Sequence, residues 1–437
     1  MEMPSLLTPA DPMAMQLPIL IVGAGQAGAM AAATLRQMGY DDRITMVGDE
    51  PHAPYERPPL SKSVLSSSDE DIALRIHPET FYEEQRIDLK LGCHVVSIDT
   101  HERFASLGNG ELIKFSSCLF ATGGQARILP SLPQGLCNIH YLRSIDDAKK
   151  LRCAMKTSRT LLIIGGGFIG LETASTARLM GLNVAVVESG NQLLTRAVPA
   201  QFSTWLAKRA EAFGVQLHLG DALKQVKTSD QKIEVELVSG KLLEADITLV
   251  AIGLSPNVNL ARQAGIEIDS STGGIRIDSN GRTSVPHIYA AGDCASQFQP
   301  IFAREVRLES WQSANEQARL AAAAMIEAET APAAMPWFWT DQFECNIQML
   351  GAFDPSLAYC ARGQLPNGKE QAKFLLFGIS SGKLRHVIAV NSGGDLRQFR
   401  AVLETSAYVP VNELSDMSIP LRKTVQAALT KTTIQHT

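Results

Sequence analysis

Twice in this chain an apolar strand runs straight into Gly-x-Gly-x-x-Gly and then into an alanine-bearing helix. That repeat constrains the fold more than any other feature. Residues 18–35 read PILIVGAGQAGAMAAATL, with Gly23, Gly25 and Gly28. Residues 160–175 read TLLIIGGGFIGLETAS, with Gly165, Gly167 and Gly170 in the same places and an alanine four residues further on in both copies, Ala32 and Ala174. The first glycine of such a turn permits a tight bend, the second lets backbone approach a pyrophosphate, and the third lets helix and strand pack closely. The helix N-terminus then faces the phosphate charge. One copy alone is a weak signal; two in register predict two dinucleotide-binding units.

The likeness between the units extends past the turns. The strand after the first turn, DDRITMVGDE, closes in Asp49 and Glu50, and its counterpart, NVAVVES, closes in Glu188. An acid about 20 residues past the glycines is where a ribose hydroxyl is held. Further on, SSCLFATGG, ending at Thr122, Gly123 and Gly124, is mirrored by DITLVAIGLSPN, so the whole first unit reads as duplicated. Short alternating stretches over residues 74–114 predict a small antiparallel excursion. The strand within IRIDSNGRTSVPHIYAAGDCA runs into Gly292 and Asp293, and a long helix is predicted over residues 307–327. Residues 330–336, TAPAAMP, read as a linker. Beyond it the alternation predicts antiparallel strands and a helix over 395–406. A length of 437 residues suits three domains. The predicted class is α/β, two Rossmann-like dinucleotide-binding domains followed by an α+β domain with an antiparallel sheet.

Composition excludes several functions. A net charge of -5, with no segment in basic excess, argues against nucleic acid as the main partner. Residues 12–35 carry no charge, which imitates a signal peptide or a membrane span. The residues before them, however, hold acids and no Lys or Arg, whereas a secretory n-region is positive. A cytoplasmic enzyme that touches no membrane is therefore expected, with residues 1–15 and the polar tail after Lys423 loosely ordered. The seven cysteines, at 93, 118, 137, 153, 294, 345 and 360, include no CxxC or CxxxxC pair. That leaves no redox dithiol, zinc knuckle or iron–sulfur spacing. The nine histidines lack HxxxH and HExxH spacing, and no metal site is expected.

One stretch, PHAPYERPPLSKSVL at residues 51–65, is unusual. Its prolines forbid a helix interior before Leu60, so Arg57 and Lys62 are presented from a fixed loop and a helix start. By spacing alone, Lys62 reads equally well as a solvated lysine at that helix start.

The order GxGxxG, PYERPPLSK, FATGG, GxGxxGLE, VAIGLSPN and IYAAGDCA resembles the two-dinucleotide-binding flavoproteins of the pyridine nucleotide-disulfide oxidoreductase type. Within them it resembles the ferredoxin reductase components of Rieske-type aromatic-ring dioxygenases, with putidaredoxin and rubredoxin reductases as neighbours. RLESWQ at residues 307–312 and PWFWTDQ at residues 336–342 are similar to that family's flavin-side segment and to the opening of its C-terminal domain. The resemblance runs from about Leu17 to about Lys423.

It implies FAD on Gly23, Gly25 and Gly28, with Asp49 or Glu50 on the adenosine ribose and Asp293 on the ribityl chain. Arg57 and Lys62 line the flavin, the lysine near N5, where a cation favours the reduced ring. Thr122 and Gly123 pack at the domain crossing, and Glu309, Trp311 and Trp339 complete the flavin side. NADH falls to Gly165, Gly167, Gly170, Glu188 and Gly253. A carboxylate at Glu188 accepts from both ribose hydroxyls and repels a 2′-phosphate, and Ser189, Gly190 and Asn191 bring no arginine. The implied domains are 16–127 and 253–332 for FAD, 128–252 for NADH and 333–423 for the C-terminal unit.

The family also pairs Glu172 with the lysine at Lys62, each offsetting the other's burial; simple complementation of a helix N-terminus is the alternative reading. The implied reaction passes hydride from NADH to FAD, then single electrons to a small acidic [2Fe-2S] ferredoxin. Arg304, Arg307, Arg397 and Arg400 are the candidate basic patch, and Trp337 and Trp339 face the acceptor. No cysteine precedes Cys93, which removes the dithiol that disulfide-reducing relatives place beside the flavin. Rubredoxin or a P450-type ferredoxin is the alternative acceptor. A signalling role like that of apoptosis-inducing factor calls for a targeting peptide or long basic insertions, and neither is present.

Overall fold

The computed structural model describes residues 17–67, 74–229 and 232–435. The expectation for residues 1–15 falls outside them. Two five-stranded parallel sheets are built on the two glycine turns. In the first, the strands lie in the order Ile288–Ala290, Ser117–Phe120, Ile19–Val22, Ile44–Val47, Ile87–Lys90. In the second, the order is Ile139–His140, Ile247–Val250, Thr160–Ile164, Asn183–Glu188, Val215–Leu219; it repeats the first in its last four strands, while its first edge strand comes from before the glycine turn and not after it. Central strands such as Ile19–Val22 and Ile247–Val250 are buried along their whole length, as unbroken apolar runs in a sheet covered on both faces must be. Each sheet also carries a three-stranded antiparallel excursion, Val95–Asp99 with Phe104–Leu107 and Leu112–Lys114, and Leu223–Thr228 with Ile233–Leu237 and Leu242–Ala245.

Helix Gln26–Gln37 crosses helix Trp311–Met325 through small side chains, among them Ala27, Ala31, Ala318, Ala321 and Ala322. The chain thus returns to its first domain after building the second. A five-stranded antiparallel sheet, in the order Trp337–Gln342, Cys345–Gly351, Lys383–Val390, Phe374–Ser380, Ala358–Arg362, forms the C-terminal unit.

Four details differ from the sequence reading. Ile87–Lys90 is the parallel edge strand of the first sheet and not part of the excursion, because it registers on Ile44–Val47. The helix foreseen from residue 307 starts at Trp311, where the Ser310 hydroxyl accepts from the Ser313 amide and caps it. The helix foreseen over 395–406 is two short ones, Gly393–Arg397 and Arg400–Glu404, broken where fully buried Phe399 turns in against Phe377. The described part of the tail beyond Lys423 belongs to helix Leu421–Gln435, with Val425 and Ala428 buried against the C-terminal sheet and its helices. Among the described residues no helix is long and apolar enough to cross a membrane.

Candidate active site

The two turns are built alike. Gly23 and Gly165 adopt φ values of 117° and 110°, and a Cβ at either would lie 2.2 and 2.4 Å from the carbonyl oxygens of Ala121 and Ala251. A Cβ at Gly28 or Gly170 would strike the carbonyl of Gly23 or Gly165 at 2.0 and 2.2 Å. Gly25 and Gly167 alone meet nothing within 4 Å. Both are helix N-caps with no side-chain hydrogen bond, whereas Ser144 and Ser310 do cap their helices. Each turn therefore presents uncapped first-turn amides across open space, the cradle a pyrophosphate requires. The residues present fit two dinucleotides.

The acids differ between the two units. Glu188 is the last residue of its strand and accepts from the amides of Gly166 and Gly190, both at 2.7 Å. In the first unit Gly48 takes that place, packed against Ala24. Glu50 is engaged on both oxygens, by Arg57 at 2.5 Å and by the Tyr55 hydroxyl at 2.6 Å. Burial pushes its carboxyl up, but the Arg57 charge and these hydrogen bonds outweigh that and hold it below the usual carboxylate range. Asp49 beside it is exposed. Arg57 also donates to the Arg143 carbonyl at 2.6 Å, so it fastens the proline-rich loop to the start of the second domain.

Where the chain crosses between the sheets, Thr122 and Asn257 exchange hydrogen bonds at 2.7 and 3.0 Å, and the Asn257 amide donates to the Gly123 carbonyl. Asp293, just past Gly292, pairs with Arg143 at 2.8 Å. Gly253, at φ 108°, is flanked by Arg127 and Arg196. Glu309 pairs with Arg307 at 2.8 Å. Burial, opposed by Arg307 and reinforced by Asp293, pushes the Glu309 carboxyl up.

Lys62 and Glu172 meet at the junction of all three units, with Nζ 2.9 Å from Oε1. The glutamate side chain is 4% exposed and the lysine 20%. Two hydroxyls share the carboxylate: Ser61 donates to Oε2 and Thr340 to Oε1, each at 2.5 Å. Glu172 lies early in helix Phe168–Leu179, Ser61 ends the short 3-10 turn Pro58–Ser61, and Thr340 sits in strand Trp337–Gln342.

On the same strand, Trp337 and Trp339 stack at 5.0 Å, and Trp311 meets Trp339 edge-on at 5.9 Å. Trp337 is tied down through its amide to Gln312 and through Nε1 to Gln348. Among the candidate docking cations, Arg304, Arg397 and Arg400 are exposed. Arg307 is not. Its side chain is 9% exposed and turned onto Glu309 and the Asp293 carbonyl, so it leaves the patch.

The structure thus brings Lys62, Glu172, Asp293 and Glu309 into the region between the two turns. It adds Ser61, Thr340, Arg143 and Asn257, which sequence reasoning missed. Ser61 stood inside PPLSK, Thr340 inside PWFWTDQ and Asn257 inside VAIGLSPN, and that position was the one available signal; Arg143 had none.

A family profile described as pyridine nucleotide-disulphide oxidoreductase matches residues 17–318, and one described as reductase C-terminal matches residues 337–425. The chain is similar to the 3-phenylpropionate/cinnamic acid dioxygenase ferredoxin–NAD(+) reductase component of Photorhabdus laumondii, with 39% identity over 89% of this chain and 97% of that one. It is also similar to rhodocoxin reductase of Rhodococcus erythropolis, with 36% identity over 92% and 93%. Among solved structures, one of a covalent putidaredoxin reductase–putidaredoxin complex superimposes with a TM-score of 0.89, at 32% identity, over 94% of this chain and 99% of that one.

Proposed function

The chain belongs to the pyridine nucleotide-disulphide oxidoreductase family, and from that premise we propose that it is an FAD-containing NADH:ferredoxin reductase. It serves a [2Fe-2S] ferredoxin, of the Rieske type, in an aromatic-ring dioxygenase system of the cytoplasm. The observation that carries this reading is the Lys62–Glu172 pair at the junction between two matching, open glycine turns. When bound, FAD supplies the conversion between a two-electron hydride donor and a one-electron carrier.

The chain's own residues hold and orient. Residues 16–127 and 253–332 form the FAD domain, 128–252 the NADH domain and 333–423 the C-terminal domain. The turn Gly23, Gly25, Gly28 and the amides of its helix hold the flavin pyrophosphate. Asp49 or Glu50 takes the adenosine ribose: Asp49 is exposed, and Glu50, with one donor on each oxygen, keeps lone pairs for it as Glu188 does. Asp293 accepts from the ribityl chain, with Arg143 fixing its carboxylate. Lys62 provides the cation beside the reactive face of the ring, and Glu172 holds that cation until nicotinamide enters. On the other side, Gly165, Gly167 and Gly170 hold the NADH pyrophosphate, and Glu188 retains lone pairs for the ribose hydroxyls.

The absence of any cysteine before Cys93 removes a dithiol route, and the ferredoxin reductases that the chain is similar to support a one-electron acceptor approaching from outside. Trp337 and Trp339 cover the flavin side, and Arg304, Arg397 and Arg400 complement the acids of a ferredoxin. A second reading keeps the chemistry and changes the acceptor to a P450-type ferredoxin; similarity to a ferredoxin reductase for the CYP199A2 system of Rhodopseudomonas palustris, at 35% identity over 94% of this chain, favours it. The test is direct. Purified protein should be yellow and should reduce a Rieske ferredoxin with NADH much faster than with NADPH. Rapid reduction of a P450-type ferredoxin, with none of the Rieske protein, would select the second reading, and a colourless protein inert to NADH would remove both.

A further inference from the structure

The buried Glu172 carboxylate has three partners, two hydroxyls that donate to it and one ammonium that pairs with it. Ser61 Oγ donates to Oε2 at 2.5 Å; Thr340 Oγ1 and Lys62 Nζ converge on Oε1 at 2.5 and 2.9 Å. Ser61 and Thr340 are 2% and 0% exposed. Both are held in place independently of the carboxylate. The Ser61 carbonyl accepts from the Thr176 hydroxyl at 2.9 Å, one turn beyond Glu172, and Thr340 registers on Ile347 and accepts from Gln342 Nε2 at 3.3 Å. Lys62 stands differently. Its ammonium has a second acceptor in the Pro58 carbonyl at 3.1 Å, and its side chain is partly open to the cleft.

We propose that Ser61 and Thr340 are positioning residues that hold the Glu172 carboxylate when Lys62 leaves it, so that the lysine is the moving partner of the pair. The inference rests on the reading of this site as an NADH:flavin reductase. Separating a buried ion pair normally strands an uncompensated charge, whereas hydrogen bonds to the charged form keep it satisfied. Here the carboxylate keeps a hydroxyl on each oxygen after the ammonium departs. Because Thr340 and Lys62 share Oε1, the threonine's contribution grows at that moment. Lys62 meanwhile turns toward its second acceptor and the cleft. The hydroxyls also come from two different units, so the carboxylate stays aligned with the proline-rich loop and the C-terminal strand while nicotinamide enters.

The test uses the full-length, flavin-loaded protein and reads NAD+ affinity by calorimetry, without turnover, alongside stopped-flow flavin reduction by NADH. Without a hydroxyl the parted state loses more than the paired state, so nucleotide entry becomes harder. Thr340→Val should weaken NAD+ binding and slow flavin reduction by about tenfold, the worth of one hydrogen bond to a charge, and Thr340→Ser should restore both. In a Lys62→Gln background, with no ammonium to release, Thr340→Val should change nothing further. Ser61→Ala should behave as Thr340→Val does and covers the case in which the valine variant does not fold. Wild-type affinity in both variants, or the same loss in the Lys62→Gln background, would overturn the inference while leaving the enzyme reading intact. A wild-type flavin that NADH does not bleach overturns the enzyme reading and this inference with it.

Discussion

Glu188 and Gly166 are joined by a 2.7 Å hydrogen bond from the glycine amide to the carboxylate, and the Gly190 amide holds the other oxygen at the same distance. The acid is therefore fixed over the second turn before any nucleotide arrives, with lone pairs left for two ribose hydroxyls. Glu188→Ala should lower kcat/KM for NADH roughly 10- to 100-fold, as expected for charge-assisted bonds of about 1.5–3 kcal/mol, and should narrow the preference over NADPH. Steady-state kinetics with both nucleotides checks it; an unchanged ratio would remove Glu188 from the site.

A second relationship governs how the C-terminal sheet is seated. Arg209, only 2% exposed, donates to the carbonyls of Phe343, Gly368 and Glu370 at 2.9, 3.2 and 2.9 Å, and its guanidinium lies over the rings of Trp205 and Phe213. Removing it leaves the buried Phe343 carbonyl and the part-buried Gly368 and Glu370 carbonyls without their donor. Arg209→Ala should destabilise the protein by about 3 kcal/mol and expose residues 343–370 to limited proteolysis. Retention of both melting temperature and protease resistance would show that the sheet is seated by its apolar contacts alone.

How much of this was legible depended on range. The strands Ile19–Val22 and Thr160–Ile164 and their turns announced themselves because apolar runs and glycine spacing are local, and duplication doubled the signal. Asp293 and Lys62 were placed by motif. Ser61 and Thr340 stood inside quoted stretches, but their link to Glu172 did not show, since they lie 111 and 168 residues from the carboxylate they share and a lone hydroxyl carries no periodicity. Arg307 was misplaced on the surface because a sequence does not say which way a side chain turns; its guanidinium turns inward to donate to the Thr272 and Asp293 carbonyls. The late start at Trp311 was set by one capping serine, a competition between local hydrogen bonds that periodicity does not register.

His386, in strand Lys383–Val390, is 2% exposed, and the Tyr359 hydroxyl lies 2.7 Å from its Nδ1. Burial pushes its pKa down to about 3, against 6.5 in the free side chain. The unfolded chain therefore takes up the proton first on acidification. Stability from this group is complete above the unfolded value and is lost as pH falls from there toward the folded one. Between pH 8 and pH 5 the loss is about 2 kcal/mol. Denaturant unfolding at the two pH values should show that slope in the wild type and a shallower one in His386→Gln; equal slopes would mean that the histidine is not held neutral.

The order of the two nucleotides can be separated from the fold by one methyl group. At Gly25 and Gly167 an added Cβ meets no protein atom within 4 Å, whereas at Gly28 it would lie 2.0 Å from the Gly23 carbonyl. Gly28→Ala should therefore fail to fold. Gly25→Ala and Gly167→Ala should fold with nearly unchanged melting temperatures, because the methyl intrudes only on whatever approaches the helix N-terminus. If the first turn holds FAD, Gly25→Ala should bind it about tenfold more weakly, a loss of ~1.4 kcal/mol, and should lose its yellow colour on dialysis where the wild type keeps it. Gly167→Ala should keep full colour while its KM for NADH rises by a similar factor. Visible absorbance and NADH titration of the two variants distinguish the assignments. Colour lost from the Gly167 variant and kept in the Gly25 variant would exchange the nucleotides between the two turns.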